Sequence, residues 1–226
     1  MGIYSYQQSN NAGWSERNNE DVGTLTGLHE RDADRTMIIG LSGLKQSGKD
    51  TIAAYLVKEH GFERKAFADP LKQSVAALFD IPFSVVDKYK LDDLCTVNIE
   101  AGFGAFHDMT FRTFLQRYGT ESHRDVFGQD FWVDLTLPVQ GFYPGRAIVV
   151  TDVRFANEAV RIRELGGLVV KVHREYLGEE GRTGDPHVSE VIDFDWDYLI
   201  ENDGTFGDLY SHVEDMLCHL IDRAEV

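Results

Sequence analysis

The segment Gly43-Leu44-Lys45-Gln46-Ser47-Gly48-Lys49-Asp50-Thr51 constrains this chain more than any other. Its spacing is G-x-x-x-x-G-K, and its flanks match. Met37 to Leu41 is a short apolar run that reads as a buried strand. Thr51 to Lys58 has helical spacing, and Gly61 is placed to end that helix. In such a strand–loop–helix unit, Gly43 and Gly48 let the backbone curl, so that successive amides, Ser47 among them, point inward at phosphate oxygens. The helix N-terminus adds partial positive charge. Lys49 can reach the outer phosphates. Many loops of this kind place Ser or Thr directly after the lysine to ligate Mg²⁺. Here Asp50 stands there, with Thr51 next, so its hydroxyl can meet the inner phosphate. Asp50 can hold Mg²⁺ through water or simply open the helix as an acidic first-turn residue. The departure argues against switch GTPases and large motor ATPases and, with the modest length, favours a small kinase.

The rest of the chain repeats the alternation. Strands are expected at Phe62–Phe67, Arg146–Thr151, Leu168–Val172 and Asp197–Ile200. Helices are expected from Pro70 to about Phe79, Phe111 to Tyr118 with Gly119 as the stop, Asp130 to Leu137, Phe155 to Leu165, and Phe206 to Arg223. The alternation predicts a three-layer α/β/α fold of the P-loop kinase type around a mainly parallel sheet. Residues 1–36 are polar and lack apolar periodicity, and read as a flexible extension. The kinase domain is expected over 37–226, with 84–109 as a candidate insertion.

Composition narrows the partners. The 226 residues carry a net charge of −16, and residues 175–226 hold 15 acidic side chains against 2 basic ones. Such a field repels polyanions, so nucleic-acid polymers and anionic membranes are excluded as general partners. No run approaches ~18 uncharged apolar residues, the length a membrane helix needs. The start has no secretory pattern. Cys95 and Cys218 show no metal-ligand spacing and read as reduced thiols of a cytoplasmic protein. His187 and Glu190 find no further metal ligands by spacing.

Ligands of parallel sheets sit beyond the carboxyl ends of the strands. Those ends carry Ser42-Gly43, Ala68-Asp69, Asp152 and His173-Arg174. An alcohol acceptor would need a base to take its proton. A phosphate acceptor is already anionic and would need cations to hold two repelling anions in line. Lys45, Lys72, Arg112, Arg154 and Arg174 supply them, Arg154 and Arg174 from strand ends. Asp152 fits either a metal-associated acid or a cap of the following helix. Asp69 fits either a contact to a sugar hydroxyl or a cap of the Pro70 helix. Trp132, with Phe131, could stack on a base, although helical spacing makes a core position the plainer reading.

Taken together, these segments resemble the bacteriophage deoxynucleoside monophosphate kinases. The loop resembles that family's Lys-x-Ser-Gly-Lys-Asp-Thr. Pro70-Leu71-Lys72 is similar to its helix start after the second strand. Arg112, Gln116 and Gly119-Thr120 match Arg-x-x-x-Gln-x-x-Gly-Thr, and Trp132-Val133 follows at a similar distance. Asp152-Val153-Arg154 resembles its Asp-x-Arg element, and Arg174 matches an Arg after the next strand. Asp185 to Glu190 resembles its Asp-x-His-x-[Ser/Thr]-Glu segment, and Asn202-Asp203-Gly204 its closing turn. The likeness covers about residues 37–215; residues 1–36 and 84–109 do not follow it.

The resemblance implies ATP with Mg²⁺ as donor and a deoxynucleoside 5′-monophosphate as acceptor. Gly43, Lys45, Ser47, Gly48, Lys49, Asp50 and Thr51 would bind ATP. Asp69, Lys72, Arg112, Gln116, Trp132, Asp152 and Arg154 would bind the acceptor. Lys49, Lys45, Arg154 and Arg174 would act on the transferring group, and Asp50 or Asp152 would position Mg²⁺ through water. The compartment would be the cytoplasm, the host's if the chain is phage-encoded, and a homodimer stays open. The animal type of phosphomevalonate kinase has a similar loop and is the nearest alternative. An alcohol kinase with Asp69 as base and a nucleotide-binding protein without turnover are the others.

Overall fold

A computed structural model describes residues 36–92, 96–97, 109–138, 145–175 and 194–222. The expectations that fall on 1–35, Cys95 and Asp185 to Glu190 lie outside the described residues.

Strand β1 (Met37–Ser42) is the centre of a five-stranded sheet. It pairs in parallel with β5 (Ala147–Val150) on one side and β6 (Leu168–His173) on the other. Strand β2 (Glu63–Lys65) adds outside β5, and β7 (Tyr198–Glu201) outside β6. The order is β2-β5-β1-β6-β7, with all four pairings parallel. A strand buried on both faces reads as a nearly continuous apolar run, which is why Met37 to Leu41 shows no alternation.

Alternate side chains of β1 feed two cores. Ile39 and Leu41 pack with Ile52 and Leu56 of α1 (Lys49–His60) and with Leu209, Val213 and Met216 of α8 (Phe206–Asp222). Ile38 packs on the opposite face with Val133 of α6 (Phe131–Thr136) and with Ala159 and Ile162 of α7 (Ala156–Glu164). The predicted three layers follow from that alternation. A third cluster lies apart from both. Val75 of α2 (Asp69–Leu78), Val86 of α3 (Phe83–Leu91) and Phe111, Phe114 and Leu115 of α4 (Phe111–Gly119) form it. The first part of the 84–109 stretch, read as a candidate insertion, belongs to helix α3, which ends at Leu91. A short antiparallel pair, β3 (Thr96–Val97) with β4 (Met109–Thr110), leads into α4.

Gly119 does not stop its helix as expected. The chain runs on through a π-helical turn, Thr120–Arg124, into α5 (Asp125–Phe127). Gly119 keeps ordinary right-handed helical angles, φ −72° and ψ −39°. Its small size serves packing instead, because a Cβ there would lie 3.2 Å from Leu71 Cδ2 and 3.9 Å from Trp132 Nε1.

Candidate active site

The loop between β1 and α1 has the wrapped form that its glycines predict. Gly43 (φ 149°), Gln46 (φ 65°) and Gly48 (φ 110°) all take positive φ. A Cβ on Gly43 would sit 2.4 Å from the Val172 carbonyl oxygen, so only glycine fits there. Lys49 folds back over this ring. Its Nζ donates to Gly43 O (2.8 Å) and Leu44 O (2.6 Å) and lies 3.4 Å from Ser47 Oγ. Loss of hydration, then the nearby Arg154 charge, brings the Lys49 pKa down to about 8, against the pull of Asp50 and Asp152. Lys45 and Asp50 are exposed, and Thr51 is half-buried.

The segment after β5 lies beside this loop because the sheet's hydrogen bonding continues through it. Val153 N–H donates to Leu41 O and Thr151 N–H to Lys65 O, both at 3.1 Å. This stitches residues 151–153 to β1 and β2. Arg154 emerges from that seam, exposed. Asp152 acts as a tie: its two oxygens accept the amides of Phe67 (2.7 Å) and Ala68 (3.0 Å). It therefore does not cap α7, the alternative read from sequence. Burial pushes its carboxyl up, opposed by those two amides and Arg154. The entry of α7 is held instead by Glu158, a residue that sequence reading passed over. Glu158 stands in the first turn of α7, but Phe155 rather than Ser or Thr lies three residues before it, so the sequence shows no capping-box pattern.

Three of the cations expected on the acceptor side, Lys72, Arg112 and Arg154, lie within electrostatic reach of Lys90 of α3. Lys72 Nζ is 2.9 Å from the Asp87 carboxylate, which anchors α2 to α3. Lys90, one turn on from Asp87, has its pKa lowered first by burial, then by Arg154, and further by Lys72 and Arg112. Lys90, Lys72, Arg112 and Arg154 thus share one electrostatic neighbourhood, fed by α3, α2, α4 and the β5–α7 loop. Sequence reading missed Lys90 because it lies in the 84–109 stretch; only its spacing from Asp87 could have hinted at it. Gln116 and Arg112 are half-buried on α4, and Arg174 is exposed just past β6.

Two expectations need correction. Asp69 does not cap α2: the helix has no side-chain cap, and Asp69 Oδ2 takes Arg64 NH1 at 3.2 Å, while its buried Oδ1 has no hydrogen-bond partner. Trp132 offers no face for stacking on a base. It is 4% exposed, wedged against His123 and Phe131, and its Nε1–H donates to Gly119 O at 2.9 Å.

Among the described residues, no group of three or more His, Cys, Asp or Glu side chains could hold a metal ion by itself. The donors present suit a different arrangement. Mg²⁺ usually keeps several waters and is held by substrate phosphates plus one or two carboxylates. Asp50 and Asp152, both close enough to Lys49 to raise its pKa, fit that pattern.

A loop of this form at the carboxyl end of the central strand of a parallel sheet marks the P-loop nucleotide-binding proteins, and the relatives of this chain are kinases of that class. A family model for deoxynucleotide monophosphate kinase matches residues 83–213. The proposed deoxynucleotide monophosphate kinase of Acanthamoeba polyphaga mimivirus is 33% identical over 195 residues, 78% of this chain and 94% of that protein. The chain belongs to the deoxynucleotide monophosphate kinase family. The deoxynucleotide monophosphate kinase of Escherichia phage RB69 is 32% identical over 114 residues, 48% of this chain and 45% of that protein. Among solved structures, a dephospho-CoA kinase from Campylobacter jejuni covers 82% of this chain and 97% of its own at 11% identity. The TM-score is 0.41.

Proposed function

We propose that the chain transfers the γ-phosphoryl group of ATP to a deoxynucleoside 5′-monophosphate, giving ADP and the deoxynucleoside diphosphate. One observation carries this reading. Arg154 lies within electrostatic reach of Lys49 in the donor loop and of Lys90 on the acceptor side. Two phosphate esters that repel each other need such a shared cation between them.

The roles follow from position. The loop amides and Lys49 hold the β- and γ-phosphates. Lys49 exchanges its contacts with Gly43 O and Leu44 O for phosphate oxygens. Arg154, with Arg112, Lys72 and Lys90, grips the acceptor phosphate. Lys45 and Arg174, both exposed, close over the transferring group from the solvent side. Asp69 turns its unpartnered Oδ1 to a sugar hydroxyl, and Gln116 reads the nucleoside from α4. The attacking phosphate oxygen is already anionic, so no general base is assigned. Asp50 and Asp152 would help hold Mg²⁺ through water beside the ATP phosphates, and the ion would supply neutralising charge for the transferring group.

The alternatives are not favoured. An Asp69 base would have to work beside Arg64, which already holds its other oxygen. Family membership speaks against phosphomevalonate as acceptor and against binding without turnover. Residues 37–226 form the catalytic unit in this reading, and 1–36 are dispensable for turnover. No helix among the described residues is long and apolar enough to cross a membrane. We place the enzyme in the cytoplasm, the host's for a viral carrier. A coupled ADP-release assay with deoxynucleoside monophosphates, nucleosides and phosphomevalonate side by side tests the reading. Turnover with at least one deoxynucleoside monophosphate and with neither of the others is expected. Turnover with only nucleosides or only phosphomevalonate, or with none, would overturn it.

A further inference from the structure

Glu158 is a buried carboxylate that takes no part in the chemistry above. It is 2% exposed, on the first turn of α7. Its Oε2 accepts the backbone N–H of Arg154 at 2.7 Å and of Phe155 at 3.1 Å. Its Oε1 pairs with Arg124 NH2 at 3.2 Å. Arg124 closes the π-helical turn that follows α4, and its guanidinium also lies 4.0 Å above the ring of Phe155. The backbone that presents Arg154 is therefore gripped twice from the helical layer, once through Glu158 and once over Phe155. A π-turn changes the phase of the helix that follows, and such turns recur at functional sites. Here the insertion brings Arg124 under α7, while the same helical run carries Arg112 at its start.

We propose that Glu158 is a positioning residue for the acceptor: by tying the Arg154 backbone to Arg124, it makes the grip on the acceptor's phosphate depend on the docking of the α4–α5 layer against α7. The inference rests on the reading that Arg154 holds that phosphate. Both oxygens of Glu158 act as acceptors, which an amide cannot imitate. In Glu158→Gln, the single carbonyl oxygen serves either the two backbone amides or Arg124, and the NH₂ group faces donors on the other side. The donor loop follows directly from β1 and is tied to the end of β7 through Asn202, and no bond joins it to Glu158, so ATP binding should be spared.

The test is steady-state kinetics on the full chain, comparing wild type, Glu158→Gln, Arg154→Ala and the double variant, each checked for folding by circular dichroism. Hydrogen bonds to charged groups predict an acceptor KM raised about ten-fold in Glu158→Gln, with the ATP KM within about two-fold of wild type. On the Arg154→Ala background, Glu158→Gln should add little, since coupled residues are not additive. An unchanged acceptor KM, parallel rises in both KM values, or full additivity would overturn the proposal. If Arg154→Ala alone leaves the acceptor KM unchanged, the assigned role of Arg154 fails and the inference falls with it. If Arg154→Ala raises the KM and Glu158→Gln does not, only the inference falls. Should Glu158→Gln not fold, Arg124→Lys decides. It keeps the charge but loses the planar fork, and a selective rise in acceptor KM is again expected; no rise overturns the proposal.

Discussion

Asn202 Nδ2 donates to the carbonyl oxygen of Ser47 at 2.8 Å, joining the end of β7 to the phosphate loop across 155 residues of chain. The Asn202 backbone N–H is itself bound to His173 O at 2.8 Å, so the brace starts from the sheet. Asn202 is 9% exposed and Ser47 1%. Replacing Asn202 by Ala would leave the Ser47 carbonyl buried without this donor, at a cost of about 1–3 kcal/mol. We expect thermal unfolding of Asn202→Ala to show a loss of that size, with the ATP KM rising more than the acceptor KM. An unchanged melting temperature and an unchanged ATP KM would show that the loop keeps its shape without the brace.

Gly48 sits under the same brace. Its φ is 110°, and a Cβ would lie 2.4 Å from Asn202 Nδ2. Gly48→Ala therefore strains the backbone and pushes the amide side chain off Ser47 together. Substitution at such a φ destabilises by more than about 1 kcal/mol. Misplacing loop amides by an ångström can reduce turnover on the order of 100-fold. Gly48→Ala should thus be slower than Asn202→Ala, which loses the brace but not the loop's φ angles. Equal rates in the two variants would argue that the brace alone shapes the loop.

Lys49 links the site to pH. Its pKa falls from 10.5 to about 8, chiefly through lost hydration and then through Arg154. Unfolding restores the ordinary value, so between those pH values the unfolded chain binds more protons than the folded one. The lysine therefore opposes folding fully below pH 8, and that penalty fades as pH rises toward 10.5. Bound phosphates reverse the balance by favouring the charged amine, so ATP binding near pH 8 should draw in up to about half a proton. Calorimetric titrations at pH 8 in buffers of different ionisation enthalpy should show this uptake, and it should vanish at about pH 6.5 and in Lys49→Met. A wild-type binding enthalpy that does not vary with the buffer would remove Lys49 from the phosphate contacts. Lys49→Ala should lower kcat more than it raises the ATP KM, because the amine follows charge that moves in the transition state.

How much of this was legible in the sequence depended on whether the signal was local. The apolar run at Met37 to Leu41 and the glycines at 43 and 48 sit within one short stretch, and they foretold the strand, the loop and the helix together. Arg154 and Asp152 could be placed at a strand end, but the partners of Asp152, the amides of Phe67 and Ala68, come from a different β–α connection. Strand order was hidden for the same reason: β5 inserts between β2 and β1, and no spacing encodes that. Lys90 and Glu158 escaped because each acquires its meaning only when α3 and α7 are packed. Gly119 misled, since a glycine after an amphipathic run usually signals a stop. Here it makes room for Leu71 and accepts a hydrogen bond from Trp132.

That last contact separates two readings of Trp132. If its indole stacked on a base, Trp132→Phe would keep an aromatic face and change the acceptor KM. The structure instead buries the ring and uses Nε1–H to satisfy Gly119 O, at the point where α4 passes into the π-turn. Thr136 Oγ1 in turn donates to Trp132 O at 2.8 Å, a bond within the short helix α6 that carries the indole. Phenylalanine fills most of the volume but cannot donate, so the Gly119 carbonyl loses a buried partner at about 1–3 kcal/mol. Trp132→Phe should therefore unfold at a lower denaturant midpoint with an unchanged m-value, while both KM values stay within about two-fold of wild type. A variant as stable as wild type but with a selectively raised acceptor KM would return Trp132 to the nucleoside pocket.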